Sequence, residues 1–198
     1  MSEIQIIEKP DSISYETIRD VLREAHKEHT DKGLVMIYHT LPAEELERMI
    51  GERGKCFVAL DGDKVVGTAS CRIKVYDKWY CKGEAWDEIL LGVLPAYQGR
   101  HLSTRFNKIR EEEAVKQGIN IIAGDTAEQN TKRIAIAEKE GFIKVDYHWN
   151  NGHYSVELMK WLDGCPFSKK YCAFRFSCKR LKVRVRHNLG ELKRKVIK

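Results

Sequence analysis

The sequence predicts a mixed α/β fold of the α+β type, in which helices pack against a mixed β-sheet. Two observations predict it. Residues 56–73 carry a β-hairpin signal, and residues 88–126 give a strand, a helix and a buried strand in that order. Alternating apolar residues favour strands, whereas apolar residues three or four positions apart favour helices. A strand, helix and strand in succession favour a parallel pair, so the sheet combines both strand directions.

The first fifty residues predict one strand and two helices. Isoleucines in residues 4–7 predict a short first strand. Ser14 has the character of a helix N-cap, and Ile13 and Ile18 are spaced as a hydrophobic staple. A second, shorter helix is expected after Pro42 because Leu46 and neighbouring apolar residues recur at helical spacing.

The middle of the chain predicts strands joined by tight turns. The run CFVAL, the turn DGDK and the run VVGTASCRI form the hairpin of residues 56–73. We expect an irregular stretch around Trp79 and Tyr80 and then a strand through EILLGVL. From His101 the pattern becomes helical, and Gly118 is a typical helix end. INIIAGDT predicts a buried strand, followed by a helix over residues 130–140 and strands through FIKVDYHW and HYSVELMKW.

Charge divides the chain into two segments. The net charge is +6, but residues 163–198 hold 12 of the 35 Lys and Arg residues and only two of the 29 acids, so they carry +10 and residues 1–162 carry −4. Such a contrast indicates a separate interaction segment. We therefore predict a domain over residues 1–162 and a basic extension over 163–198. The scattered cysteines and the lack of a signal-like N-terminus or a membrane-spanning apolar run predict a cytoplasmic protein.

The stretch VLPAYQGRHLSTRF, residues 93–106, joins a strand to a helix through a glycine-containing turn. A helix that begins at such a turn exposes unpaired N–H groups that attract anions. Gly99 allows close approach of the backbone and Arg100 adds a positive charge. Neither a Walker A motif nor GxGxxG is present, so this stretch alone fits both a phosphate site and a simple bend.

Two segments carry a resemblance to a known family. VLPAYQGRHLS resembles motif A of the acetyl-CoA-dependent N-acetyltransferases of the GNAT superfamily, with Gln98 in register and His101 and Ser103 in place of small residues. NTKRIAIAEKEGF, residues 130–142, resembles the later family segment NxxAxxxYxxxGF. The resemblance covers residues 4–161 and implies a GNAT-like acyl-CoA N-acyltransferase fold with acetyl-CoA as co-substrate.

The resemblance also implies where the cofactor binds. The strand at Leu91, Gly92 and Val93 would pair with the pantetheine arm, and Asn130 would contact the cofactor at the start of its helix. Main-chain amides in the turn would hold the pyrophosphate. The turn residues implied in this way are Gln98, Gly99, Arg100, His101, Leu102, Ser103 and Thr104.

Acetyl transfer to an amine requires a base, because an amine of pKa about 10.4 is protonated at neutral pH. Asp87 and Glu88 are the candidate catalytic residues, with Glu84 as a further alternative. Period-two alternation predicts that Asp87 shares a face with Ile89, Leu91 and Val93, and that Glu88 lies on the other face. A solvated position at the strand entrance is the alternative role for these acids.

The usual family acid is absent, since Ala137 stands where many relatives have tyrosine; Tyr147, His148 or water are alternatives. Segments 26–39 and 75–86 are expected to shape the acceptor site, where the acceptor is a small-molecule or peptide amine. No histidine or cysteine pair has metal spacing, and Cys165, Cys172 and Cys178 lie too far apart, so we predict no metal.

The extension supports two interpretations. Residues 181–186 alternate as in a strand, but apolar residues over 171–196 recur at helical spacing and favour a basic amphipathic helix. Such a helix would dock on its own domain or a second copy, lie on an anionic membrane surface, or bind nucleic acid. The function predicted is an N-acetyltransferase that acts by direct attack. The alternative is a non-catalytic CoA-binding or interaction protein whose basic extension binds a membrane, nucleic acid or a partner.

Overall fold

The computed structural model describes residues 3–31, 33, 37–150 and 152–196. The chain forms two compact units, residues 1–122 and 123–198, which are described separately below. Seven strands and seven α-helices occur among the described residues. The mixed α/β fold class predicted from the sequence is therefore confirmed.

In the first unit, four strands form an antiparallel meander in sequence order. The strands are β1 (Gln5–Glu8), β2 (Lys55–Asp61), β3 (Lys64–Lys78) and β4 (Cys81–Val93). The predicted hairpin of residues 56–73 is confirmed, and Gly62 supplies the positive φ of +60° at its turn.

β3 and β4 form a second hairpin, which was not predicted, and both strands are longer than predicted. Both strands continue to a turn at Trp79 and Tyr80, where Lys78 pairs with Cys81. The irregular stretch expected around these aromatics is therefore wrong, because the structure shows regular strand on either side of the turn. Charged residues such as Lys74 and Lys82 lie on this hairpin and hide the apolar alternation that marks a strand.

The helices of the first unit lie before β2 and after β4. Ser14 caps α1 as predicted, since its Oγ accepts a hydrogen bond from the Thr17 amide at 3.3 Å. Ile18 and Leu22 of α1 are fully buried. The five helices are α1 (Tyr15–Ala25), α2 (Lys27–Asp31), α3 (Ile37–Thr40), α4 (Ala43–Ile50) and α5 (Leu102–Lys116). The sequence did not predict α2 and α3, because both are too short to show helical periodicity.

The second unit contains strands in the order β5, β7, β6 and two helices. The elements are β5 (Ile121–Ala127, which begins just before the division), α6 (Thr131–Lys139), β6 (Ile143–Asn150), β7 (His153–Trp161) and α7 (Lys169–Val196). β6 and β7 form an antiparallel hairpin in which Asn150 pairs with His153. Buried side chains such as Val145 and Met159 form the interior of this unit.

Within the basic extension, Lys169–Val196 forms the single long helix α7, which confirms the helical interpretation. One face of α7 docks on β6. Phe176 contacts the ring of Tyr147 edge-on at 5.9 Å between centroids, and His187 stacks on Trp149 at 4.0 Å. The assignment of residues 1–162 and 163–198 to a domain and an extension stays a prediction. Within the part of the chain that the structure describes, no helix has the length and apolar character needed to cross a membrane.

Candidate functional site

A β-bulge interrupts β4 in the segment implied to bind pantetheine. Ile89 pairs with Ser70 and Gly92 pairs with Thr68, so Leu90 and Leu91 together stand opposite one residue of β3. Leu90 has a φ of +53°. The extra residue reverses the alternation of faces beyond it. Gly92 therefore shares the face of Ile89, while Leu91 lies on the opposite one.

This bulge corrects one prediction. Asp87 and Ile89 precede the bulge and share a face, but Leu91 and Val93 follow it and lie on the other face. The single face predicted from Asp87 to Val93 is therefore wrong. Period-two counting fails here because it assumes an unbroken ladder.

Gly92 allows α1 to pack directly against β4. A Cβ atom at Gly92 would lie 3.0 Å from Leu22 Cδ2 and 3.1 Å from Ala25 Cβ. This close approach brings His26, the residue after α1, onto the bulge, where its Nε2 lies 2.8 Å from the Leu91 carbonyl oxygen. Nε2 must carry the proton, because a carbonyl oxygen only accepts. Burial lowers the pKa of His26, and the bond to Leu91 opposes this effect in part.

The turn after β4 is tied to the strands of the first unit. Residues Pro95–Tyr97 form a 3-10 turn. The Gln98 side chain donates to the Val93 carbonyl at 3.2 Å, and the Tyr97 hydroxyl donates to Asp61 at 2.9 Å. Arg100 lies 4.9 Å from the centroid of the Tyr97 ring and Lys64 lies 5.8 Å from it. Two cations therefore flank the turn.

The backbone of the turn adopts two left-handed conformations before α5 begins. Gly99 has a φ of +79° and His101 a φ of +58°. His101 is the N-cap of α5, and its side chain makes no capping hydrogen bond with the residues that the structure describes. The amides of the first turn of α5, Leu102 to Thr104, point away from the helix body as in any helix N-terminus. This donor set, with Arg100 beside it, fits a diphosphate.

His101 occupies the position where the resemblance has glycine. The left-handed conformation explains that preference, since glycine adopts it without steric cost. Histidine is among the residues enriched in this region relative to other side chains. The backbone path is therefore kept although the side chain differs.

The two candidate catalytic carboxylates lie in different surroundings. Asp87 Oδ2 accepts from Arg72 Nε at 2.9 Å, and the Arg72 side chain is 33% exposed. Glu88 Oε2 lies 3.2 Å from Arg110 Nη2, with both side chains nearly inaccessible. Arg110 also donates to the Ser70 carbonyl at 3.2 Å. Glu88 therefore belongs to an internal ion pair between β4 and α5, whereas the partner of Asp87 reaches solvent. The alternative residue Glu84 forms an exposed ion pair with Arg53 at 2.7 Å.

In the second unit, Asn130 is the N-cap of α6, and its Oδ1 accepts from the Arg133 amide at 3.2 Å. Ala137 is fully buried. His148, one alternative acid, pairs with Asp125 at 3.2 Å.

Tyr147, the other alternative acid, belongs to a network that holds α7. Its hydroxyl donates to Glu128 Oε2 at 2.7 Å and accepts from Arg184 Nε at 3.1 Å. Arg180 also binds Glu128, at 2.7 Å. Burial and the bond to Glu128 raise the pKa of Tyr147.

Sequence reasoning missed three residues around the site: His26, Arg72 and Arg110. Arg72 and Asp87 are cross-strand partners, which the register would have revealed once the full length of β3 and β4 was known. His26 lies in segment 26–39, which was expected to shape the acceptor site, but its contact with the bulge of β4 was not predicted. Contacts such as His26 with Leu91, 65 residues apart, leave no local signal.

The segments expected to shape the acceptor site lie in the first unit. His26 stacks on Tyr38 at 5.4 Å, and Tyr76 and Tyr80 contact each other edge-on at 6.2 Å on the β3–β4 hairpin. Residues 32 and 34–36 of the first segment lie outside the described residues. Over those described residues, no group of three or more His, Cys, Asp or Glu side chains is arranged to hold a metal ion.

Comparison with known proteins identifies the family. A model of the acetyltransferase (GNAT) family matches residues 16–142, whereas no curated protein matches the chain. An acetyltransferase structure from Streptococcus agalactiae is 18% identical with a TM-score of 0.64, covering 82% of this chain and 100% of that one. The ribosomal-protein-S18-alanine N-acetyltransferase of Escherichia coli is 15% identical with a TM-score of 0.60, covering 81% of this chain and 94% of that one.

A GNAT acetyltransferase from Elizabethkingia anophelis, solved with acetyl-CoA bound, is 17% identical with a TM-score of 0.57. The match covers 82% of this chain and 100% of that one. These structures share the fold that the two motifs imply, and the family match spans both motifs. The GNAT-like fold is confirmed, and the chain belongs to the GNAT family of acetyltransferases.

Proposed function

We propose that the protein transfers an acetyl group from acetyl-CoA to the primary amine of a small molecule or peptide by direct attack. The observation that carries this proposal is the backbone of residues 89–104. A bulged strand, a turn with two left-handed residues and an uncapped helix N-terminus follow one another there. The resemblance implies that this segment holds the pantetheine arm and the diphosphate of acetyl-CoA.

The residues that would hold the donor are those implied by the resemblance. The main chain of Leu91 to Val93 would bind the pantetheine arm, and the amides of Gly99 to Thr104 the diphosphate, with Arg100 adding charge. Asn130 is proposed from the resemblance alone. Acetyl-CoA supplies a thioester carbonyl as electrophile and a thiol as leaving group.

We assign the base to Asp87 in preference to Glu88. Glu88 is held by Arg110 inside the first unit, and moving a proton to it would leave the buried guanidinium without its counter-ion. Asp87 is buried but paired with the partly exposed Arg72, so this guanidinium keeps contact with water when Asp87 takes a proton. Asp87 accepts the amine proton, directly or through water.

We propose that water supplies the proton for the departing sulfur. Ala137 has no acidic group, and Tyr147 already donates its proton to Glu128. A thiol of pKa about 8.5 leaves with little acid assistance, so this arrangement slows the reaction without preventing it. We also propose a cytoplasmic location, from the cysteine usage of the sequence.

Calorimetry with acetyl-CoA tests the cofactor site through two glycines at opposite ends of α5. Gly99 and Gly118 both have positive φ, +79° and +70°, and both have open space where a Cβ atom would lie. Alanine at either position should cost about 1 kcal/mol of stability. Only Gly99→Ala should weaken acetyl-CoA binding, by about tenfold or more, because its Cβ would lie where the diphosphate approaches the main chain. Equal affinity for both variants and the parent protein would exclude the turn as the cofactor site.

An amine screen tests catalysis. Thiol release from acetyl-CoA should rise with an accepted amine, and Asp87→Asn should lower kcat by roughly 100-fold, a typical effect of losing a general base. Binding of acetyl-CoA without thiol release for any amine would favour the non-catalytic alternative. If Asp87→Asn lowers only stability, Asp87 is not the base.

A further inference from the structure

The helix α7 carries an apolar stripe on the side away from β6. Five of the ten large hydrophobic side chains that are exposed among the described residues lie on this one helix. Together with the exposed Cys178 they recur every three or four residues. The α7 stripe consists of Tyr171, Phe174, Cys178, Leu181, Val185 and Leu189.

The stripe and the docked residues are separated around the helix. Phe176, Arg180 and His187 face β6 and the Glu128 network. Phe174 and Leu181 are 65% and 67% exposed, so the docking leaves them uncovered. From Tyr171 to Leu189 the stripe runs for about 27 Å at the rise of an α-helix. A patch of this extent on a folded protein marks an interaction surface.

The charges beside the stripe are positive. Lys182 and Arg186 follow one edge and are exposed, and the sequence has no carboxylate between Asp163 and Glu191. We propose that the α7 stripe lies on an anionic phospholipid surface. Its apolar residues enter the boundary between headgroups and acyl chains, and its lysines and arginines contact the lipid phosphates.

Charge argues against the other occupants. A second copy of α7 would bring positive edges together without any acid from residues 164–190 to pair them. Nucleic acid would satisfy the cations but leave Phe174 and Leu181 exposed, because phosphate contacts need no apolar stripe. An anionic bilayer satisfies both features. The helix lies on the surface, since it lacks the apolar length to span it.

Vesicle flotation of the full chain tests the proposal. The protein should float with vesicles of phosphatidylcholine and phosphatidylserine in equal amounts and stay in solution with phosphatidylcholine alone. Phe174→Ser with Leu181→Ser should weaken the partition by at least about 100-fold, given the transfer energy of two large apolar side chains. Lys182→Gln with Arg186→Gln should weaken it by roughly 30-fold.

The matched control is Val75→Ser with Val115→Ser. These valines are 73% and 62% exposed and lie outside α7, so their loss should leave flotation unchanged. Recovery of the parent protein in solution with anionic vesicles overturns the proposal. So does a dimer in analytical ultracentrifugation that the stripe variant abolishes, or duplex DNA binding that depends on Lys182 and Arg186 but not on Phe174.

Discussion

Two clusters of arginine and glutamate hold helices in this molecule, one in each unit, and they differ in exposure. In the first unit, Glu88 and Arg110 join β4 to α5 with side chains 3% and 1% exposed. In the second unit, Glu128 binds Arg180 and Arg184 of α7, whose side chains are 47% and 44% exposed. The first cluster is closed to water, whereas the second is at the surface.

The difference indicates different roles. A buried pair costs much when one partner is removed, because the other charge stays in a medium of low dielectric constant. A pair that reaches water contributes little, since water replaces the lost partner. We therefore expect α5, which begins at the proposed cofactor turn, to be fixed rigidly, and α7 to be held by bonds that individually contribute little.

The largest expected effect is that of breaking the buried pair. Glu88→Gln should lower the free energy of unfolding by about 3–5 kcal/mol in urea titrations. Glu84→Gln, at the exposed pair with Arg53, is the matched control and should cause no measurable change. If Glu88→Gln instead left stability intact and abolished turnover, Glu88 would be the base and our assignment to Asp87 would be wrong.

The next largest effect is expected from replacing a glycine by alanine, which we compare between the two units. Gly92→Ala places a Cβ against Leu22 and Ala25 and should cost about 1–3 kcal/mol. Gly190→Ala in α7 meets open space and should stabilise the protein by about 1 kcal/mol through helix propensity. Urea titrations of the two variants and the parent protein measure both changes in the free energy of unfolding. A neutral Gly92→Ala would show that α1 shifts easily on β4.

Acid should loosen the surface cluster. Burial raises the pKa of Glu128, but hydrogen bonds from Tyr147, Arg184 and Arg180 outweigh it, so the pKa lies below its usual range. The resulting stability is present above the ordinary glutamate pKa and is lost as the pH falls through the lowered one. We expect a loss of about 1 kcal/mol. Fluorescence of Trp149, which stacks on His187, reports it by difference from a Trp149→Phe variant.

Glu128→Gln is the control for this measurement. It removes the titrating group but keeps an oxygen acceptor, so the fluorescence of Trp149 should lose its dependence on acid. A transition of equal size in Glu128→Gln would assign the effect to another titrating group.

The smallest effect is expected at His101. His101→Gly relieves the left-handed strain and should raise stability by up to about 1 kcal/mol. Affinity for acetyl-CoA should change by less than about threefold, since the proposed phosphate ligands are main-chain amides, which are present whatever the side chain. Calorimetry on both proteins measures this. A tenfold loss of affinity would instead make the imidazole a ligand.

Local patterns predicted much of the fold. Ser14 predicted the N-cap of α1, the DGDK turn predicted the first hairpin, and the change to helical period predicted α5. The two motifs predicted the family. The bulge at Leu90 was missed because it depends on pairing with β3, and it reversed the predicted face of Leu91. The partners of Asp87 and Glu88 were missed too, since pairs such as Glu88 with Arg110 form only when the sheet and α5 meet.

The left-handed backbone of His101 bears on how GNAT acetyltransferases are recognised from sequence. A signature that requires glycine there describes the easiest way to reach one backbone conformation, while the phosphate responds to the conformation itself. Asparagine, aspartate and histidine also reach it at modest cost. Chains with these residues at the start of the helix therefore merit inspection as acyl-CoA enzymes even when the glycine is missing.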